Sequence, residues 1–262
     1  MRHYIHVYKR LMQLNFSALV AFRGNFINNL ISSFIWAIFS LSTIYLLTLR
    51  VTSIFGWRRE DILLFTGLYG VVIGFFHTIF SRNFSRFSRV IHHGELDILL
   101  LKPIDTQFLM SFWIINYTSL SRIPIGVLFV GYLLVSYHIP VAPFQILSSI
   151  FLVSLSIVLL YAIWYIVMTL TIWFTNLSNL VEILFQMTSI ARYPQEVFRE
   201  LSAYLFWFIM PLTFVISTPA KVLLQRANAY DLIGLFIFSI TLLFLSRKFW
   251  KFALRFYTSA SS

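Results

Sequence analysis

The stretch that decides the fold is Arg82–Asp105, RNFSRFSRVIHHGELDILLLKPID. On a helix, Arg82, Arg86, Arg89 and His93 recur at steps of three and four and make one basic ridge. Phe84, Phe87 and Ile91 make an apolar ridge beside it. Gly94 reads as a helix stop, because glycine enters the left-handed region without strain. Glu95 and Asp97 add acidic points before Ile98–Leu101, and Lys102-Pro103 closes the segment. A helix divided this way suits the surface of a bilayer, with its exposed side free for lipid or for a partner protein. Composition alone leaves both readings open.

On either side of this stretch the chain is apolar. Of 262 residues, 59% are hydrophobic, 19% aromatic and only 11% charged, with a mean hydropathy of +0.83. A soluble domain carries roughly a quarter charged residues, so the solvent for most of these side chains is lipid or protein. The apolar runs predict an all-α polytopic membrane protein with spans at about 26–49, 62–81, 106–136, 144–174, 177–191 and 230–247, most of them long enough at about 1.5 Å per residue to cross a core of about 30 Å. Residues 2–24 predict an interfacial helix, with Tyr4, Val7, Leu11, Leu14 and Ala18 on one stripe and His3, His6, Arg10, Gln13 and Ser17 on the other. The run Leu201–Pro219 contains Pro211 and Pro219. Because a proline costs about 3 kcal/mol inside a helix, 195–220 is expected to be a broken, partly re-entrant pair of helices. No cleavable leader is expected, since the first apolar run begins only near Phe26 and is too long for one.

The formal charge of +11 flanks these runs instead of clustering in a polar domain, which points to a membrane surface and away from nucleic acid. With both termini inside, the inner basic residues are Arg2, Lys9, Arg10, Arg23, Arg82, Arg86, Arg89, Lys102, Arg247, Lys248, Lys251 and Arg255. The outer set, Arg50, Arg58, Arg59, Arg192, Arg199, Lys221 and Arg226, is smaller. Both termini are therefore expected in the cytoplasm.

The chain has no G-x-x-x-x-G-K-[ST] loop and no H-E-x-x-H, and its acids are scattered. No catalytic residue is assigned. His92, His93 and Glu95 are poor metal ligands as a set, since neighbours on a helix point about 100° apart, and no metal is expected. The absence of cysteine excludes disulfides and thiolate sites. On the second span, Gly67, Gly70 and Gly74 line one face, and Gly70-x-x-x-Gly74 invites close helix packing. On the fifth, Asn176, Asn179, Glu182, Gln186 and Ser189 share a polar diagonal. A carboxylate at membrane depth is costly and faces protein or water. Glu182 thus either lines a path or dimer interface or pairs with Arg122 of the third span.

Gly94-Glu95-Leu96-Asp97 followed by Leu100-Leu101-Lys102-Pro103, then Arg192-Tyr193-Pro194, the Pro211 to Pro219 segment and the closing Tyr257–Ser262 resemble the ABC-2-type permeases. The likeness is to the compact six-span bacterial branch without a fused ATPase, and it runs over nearly the whole chain. It implies one permease domain over 1–262, with a coupling helix on which Arg82, Arg86, Arg89, Gly94, Glu95, Asp97, Lys102 and Pro103 stand. It implies short outer helices near Arg192, Tyr193, Pro194, Pro211 and Pro219. It further implies a bacterial plasma (inner) membrane location, a second permease copy or paralogue, and separate ATPase subunits that hold ATP and magnesium, this chain binding no cofactor. The expected function is an exporter subunit. Its rivals are a membrane-embedded lipid-modifying enzyme, which needs an acidic or metal-binding cluster, and a secondary transporter, which is expected to show an internal repeat.

Overall fold

The computed structural model describes residues 2–50, 53–174, 179–198 and 203–258. Asn176, Arg199, Leu201 and Ser259–Ser262, used in reading the sequence, lie outside the described residues. The chain opens with α1 (Arg2–Ala21) and α2 (Arg23–Leu47). On α1, Leu14 and Ala18 of the apolar stripe are exposed, while Tyr8 meets Phe112 edge-on at 5.9 Å and Asn15 Nδ2 donates to the Trp113 carbonyl at 3.0 Å. A two-strand hairpin follows, β1 (Ser53–Ile54) against β2 (Trp57–Arg58), pairing Ile54 with Trp57. Its two turn residues, Phe55 and Gly56, both have positive φ (50° and 81°), the twist that a two-residue hairpin needs.

Helix α3 (Arg59–Phe76) does not end where the second span was expected to. It runs through a π turn at His77–Ser81 straight into α4 (Arg82–His92). The reason lies in a continuous aromatic stripe. Phe76, Phe80, Phe84 and Phe87 are all buried, Phe84 lying 5.5 Å from Trp164 and Phe87 5.6 Å from Trp250. The ridge assigned to the bilayer surface thus packs on protein. Gly94, at φ 72°, ends that helix and starts α5 (Glu95–Leu100).

The expected third span, 106–136, is interrupted. Helix α6 (Thr106–Phe112) stops, a non-helical segment and a 3-10 turn (Tyr117–Ser121) follow, and α7 (Arg122–Ser136) resumes. The Asn83 side chain holds that gap from both sides, donating to the Ile114 carbonyl at 2.8 Å and accepting from its N–H at 2.9 Å. Helix α8 (Pro143–Thr169) is the long central element. Helix α9 (Leu180–Ser189) has 10 residues plus a 3-10 turn to Arg192, about 15 Å for the α-helical part. The described part of the fifth expected span is therefore too short to cross as an α-helix alone.

The proline-bearing run is one helix, α10 (Ala203–Leu223), not a broken pair. Pro219 withholds a hydrogen bond from the carbonyl of Val215, and the Ser156 hydroxyl of α8 donates to that carbonyl at 2.5 Å. A neighbour's hydroxyl thus removes much of the penalty that the sequence leads one to expect. Helix α11 (Ala229–Ala253) ends the bundle and lies on α8, where Ser239 Oγ donates to the Leu155 carbonyl at 3.1 Å. The protein is an all-α polytopic membrane protein apart from its small hairpin. Among the described residues, five helical stretches are long and apolar enough to cross a membrane: Arg23–Arg50, Arg59–His92, Tyr117–Ser136, Pro143–Ile172 and Ala229–Ala253.

Candidate functional site

Three constellations stand along the Arg59–His92 helix. At the α4 end, the residues expected to form one basic ridge divide. Arg82, Arg89 and His93 are exposed. Arg86 turns inward, 2.9 Å from Glu95 Oε2 and 5.3 Å from the Trp113 ring centroid. Its hydrogen bond holds the Glu95 carboxyl below its ordinary value. Lys102 Nζ lies 4.4 Å from the centroid of the same Trp113 ring, and Pro103 is exposed. Asp97 starts the turn that Gly94 opens, its N–H donating to the Gly94 carbonyl. Arg247 of α11 grips Asp105 through both guanidinium nitrogens, and holds that carboxyl below its ordinary value although burial alone would raise it. Beside the exposed Arg82, Arg89 and His93, the α5 end presents apolar side chains outward: Ile98 is 62% and Leu101 86% exposed.

Midway along α3 lies a cavity of about 240 Å³ between α2, α3, α7 and α9. Tyr69, Gly70, His77, Arg122, Ser189 and Arg192 are among its lining, and no carboxylate is. Three glycines set the walls. A Cβ on Gly67 would sit 2.7 Å from Val130, and one on Gly74 3.0 Å from Ile123, so these two bring α7 close. Gly126 of α7 completes the contact, 2.8 Å from Val71 by the same measure. Gly70 meets nothing within 4 Å and opens into the cavity. The close pair is thus Gly67 with Gly74, not Gly70 with Gly74.

Arg122 does not pair with Glu182. Its Nε donates to Ser33 Oγ at 3.1 Å, and among the described residues neither Arg122 nor Arg192 forms an ion pair. Arg192 reaches back to lie 5.1 Å over the Tyr69 ring, its Nε buried and without a hydrogen-bond partner. Tyr69 stands ten residues into α3, about 15 Å from its start, so this cation is not at the end of the bundle. An arginine at the centre of a membrane helix costs about 2.5–3.5 kcal/mol on insertion scales. Glu182 is exposed and accepts from Gln186 Nε2 at 2.9 Å on its own helix; Asn179 and Gln186 are exposed with it. Of the described residues of the polar diagonal, Ser189 alone lines the cavity.

At the hairpin end, sequence reading missed a buried ion cluster. Lys221 Nζ lies 2.9 Å from Glu196 and 3.3 Å from Asp231, whose side chain is 2% exposed. Gln195 donates to Asp231 at 2.9 Å, and the Trp57 indole N–H donates to Glu196 at 2.9 Å. The Lys221 and Trp57 bonds outweigh the burial that opposes them and hold the Glu196 carboxyl low. Pro194 precedes this knot, and Tyr193 is exposed. Pro219 and Pro211 both lie within α10. The one available signal was the wide separation of 196, 221 and 231 in otherwise apolar sequence, and it does not say which charges meet.

The ABC-2 family transporter protein family matches residues 34–261, and the chain belongs to it. It is a multi-pass membrane permease of ABC-type transport, a transporter domain and not a catalytic one, of a family that works with ABC ATPase partners. No curated protein and no solved structure matches the chain.

Proposed function

We propose that this chain is the membrane-spanning half of an ATP-driven exporter, one permease domain moved by separate ATPase subunits that hold ATP and magnesium. The observation that carries the reading is the unbroken Arg59–His92 helix of 34 residues, about 51 Å long. One end bears the exposed α5 tip, and its middle forms a wall of the cavity. Asn83, tied to Ile114, and Thr78, whose carbonyl accepts from Asn116 N–H at 2.8 Å, brace the π turn on the side. A push on α5 is therefore carried to Gly70 and His77 and not absorbed at Ser81.

On this reading the chain makes six crossings, with both termini in the cytoplasm of a bacterial plasma membrane, as the distribution of basic residues favours. Lys221, Glu196 and Asp231 pin both flanks of α10 to the hairpin end, so α10 is a re-entrant excursion. The fifth crossing is then α9, its 3-10 turn at Ile190–Arg192 and the short non-helical link to Gln195. A second copy or a paralogue is expected against α2, only 6% of whose most apolar window is buried, and against the exposed Asn179–Glu182–Gln186 seam. Because the chain has no cysteine, contact is testable cleanly. A photoactivatable maleimide on Leu101→Cys is expected to cross-link the ATPase subunit, while one on Leu128→Cys, equally apolar and 72% exposed on α7, is not. Absence of an ATPase product from Leu101→Cys, or equal yield from both sites, would remove α5 from the interface.

A further inference from the structure

The cavity in mid-bundle carries positive charge that no carboxylate among the described residues neutralises. We infer that it is a binding site for an oxyanion, a phosphate or carboxylate group, held between Arg122 and Arg192. This deepens the export reading by naming a class of substrate, and rests on that reading only in that step.

The two guanidinium groups approach the space from different elements, Arg122 from the start of α7 and Arg192 from the turn after α9. Arg192 keeps a buried Nε without any hydrogen-bond partner, and Arg122 spends only its Nε on a neutral hydroxyl. A guanidinium offers five donors in a planar fork that matches the edge of a carboxylate or phosphate. Buried charges are otherwise paired, and among the described residues every carboxylate in an ion pair is elsewhere: Glu60 with Arg58, Glu95 with Arg86, Asp105 with Arg247, Asp61 with Arg226, and Glu196 and Asp231 with Lys221. Tyr69 and Ser189 add hydroxyls to the wall.

Size decides what enters. At about 240 Å³ the cavity is below the 300–1,000 Å³ usual for a whole drug-sized ligand. It takes a head group, not a complete amphiphile. Trp36, on the sparsely covered α2, lines the same space and is 64% exposed, so an apolar tail has a way out sideways along α2. An anionic amphiphile and a free anion share the head-group chemistry and differ in whether α2 contributes.

The test uses the purified full chain in neutral detergent, with dodecyl phosphate and inorganic phosphate as probes and saturable binding and thermal shift as readouts. Dodecyl phosphate is expected to bind one per chain, at least tenfold more weakly in Arg122→Gln/Arg192→Gln and unchanged in Lys251→Gln, an exposed cation outside the cavity. Gly70→Leu keeps both charges and fills the space. There is room beside Gly70 for the new side chain, and it is expected to abolish binding even if the double variant fails to fold. Inorganic phosphate competing only at far higher concentration assigns the site to amphiphiles, and equal affinity assigns it to free anions. Binding that survives both Gly70→Leu and the double variant, or no saturable binding of either probe, overturns the inference. ATPase association is scored separately by the Leu101→Cys cross-link, so loss of anion binding with the cross-link intact leaves the export reading standing.

Discussion

Lys221→Met is expected to destabilise the folded permease by about 3–5 kcal/mol, because it removes one partner of a buried ion cluster and leaves two carboxylates without their cation. For a chain of this size that is roughly 10 °C in Tm. The pair of acids is close: Lys221 Nζ reaches Glu196 at 2.9 Å and Asp231 at 3.3 Å, with side chains 18% and 2% exposed. Neutralising both acids as well, in Lys221→Met/Glu196→Gln/Asp231→Asn, is expected to recover most of the loss, since amides still accept from Trp57 and Gln195. The effect has a defined pH sense. Glu196 is held below its ordinary 4.5 in the fold, so its contribution is present above that value and is lost as pH falls through the lowered one. Melting curves of wild type and Lys221→Met should therefore lie far apart at neutral pH and draw together on acidification. Equal melting temperatures at pH 7 would show that the cluster is not what closes the hairpin end.

The second large effect is on assembly. Ile98→Asp with Leu101→Asp places two charges on the apolar α5 tip without touching a buried side chain. The permease is expected to insert and melt as wild type, while recovery of the ATPase subunit with it falls at least tenfold, since a desolvated charge without a partner costs several times the 1.4 kcal/mol that a factor of ten requires. Arg86→Glu makes the contrast. It opposes Glu95 with a like charge and removes the cation stacked on Trp113, so it is expected to lower stability as well as association. ATPase recovery equal to wild type in the Ile98/Leu101 variant would mean that the subunit is held elsewhere.

The outline of this molecule is legible in its sequence because lipid solvation imposes length and hydropathy on each crossing, and 144–174 or 230–247 need no tertiary partner to declare themselves. Gly94 was equally plain, since a turn out of a helix favours the one residue that tolerates positive φ. What stayed hidden was set by neighbours distant in sequence. The gap at Trp113–Asn116 exists because Asn83, more than thirty residues earlier, takes over the Ile114 backbone. The continuity of α10 past Pro219 depends on a hydroxyl from α8. The inward turn of Arg86 depends on Trp113, and the failure of Arg122 to meet Glu182 depends on which face of a ten-residue helix is covered. Of the cavity, Gly70, Arg122 and Arg192 were each noticed separately, but only the packing of α3 on α7 brings them to one space.

The central claim is that α3 and α4 form one lever from the ATPase surface to the cavity. The direct measurement is copy-to-copy distance by pulsed spin-label spectroscopy in the assembled complex, with single labels at Ser85→Cys on α4 and at Arg58→Cys beside the start of α3. A rigid lever predicts that ATP changes both distances together and in opposite senses. A change confined to Ser85→Cys, with the Arg58→Cys distance fixed, would place a hinge at the π turn and contradict the account.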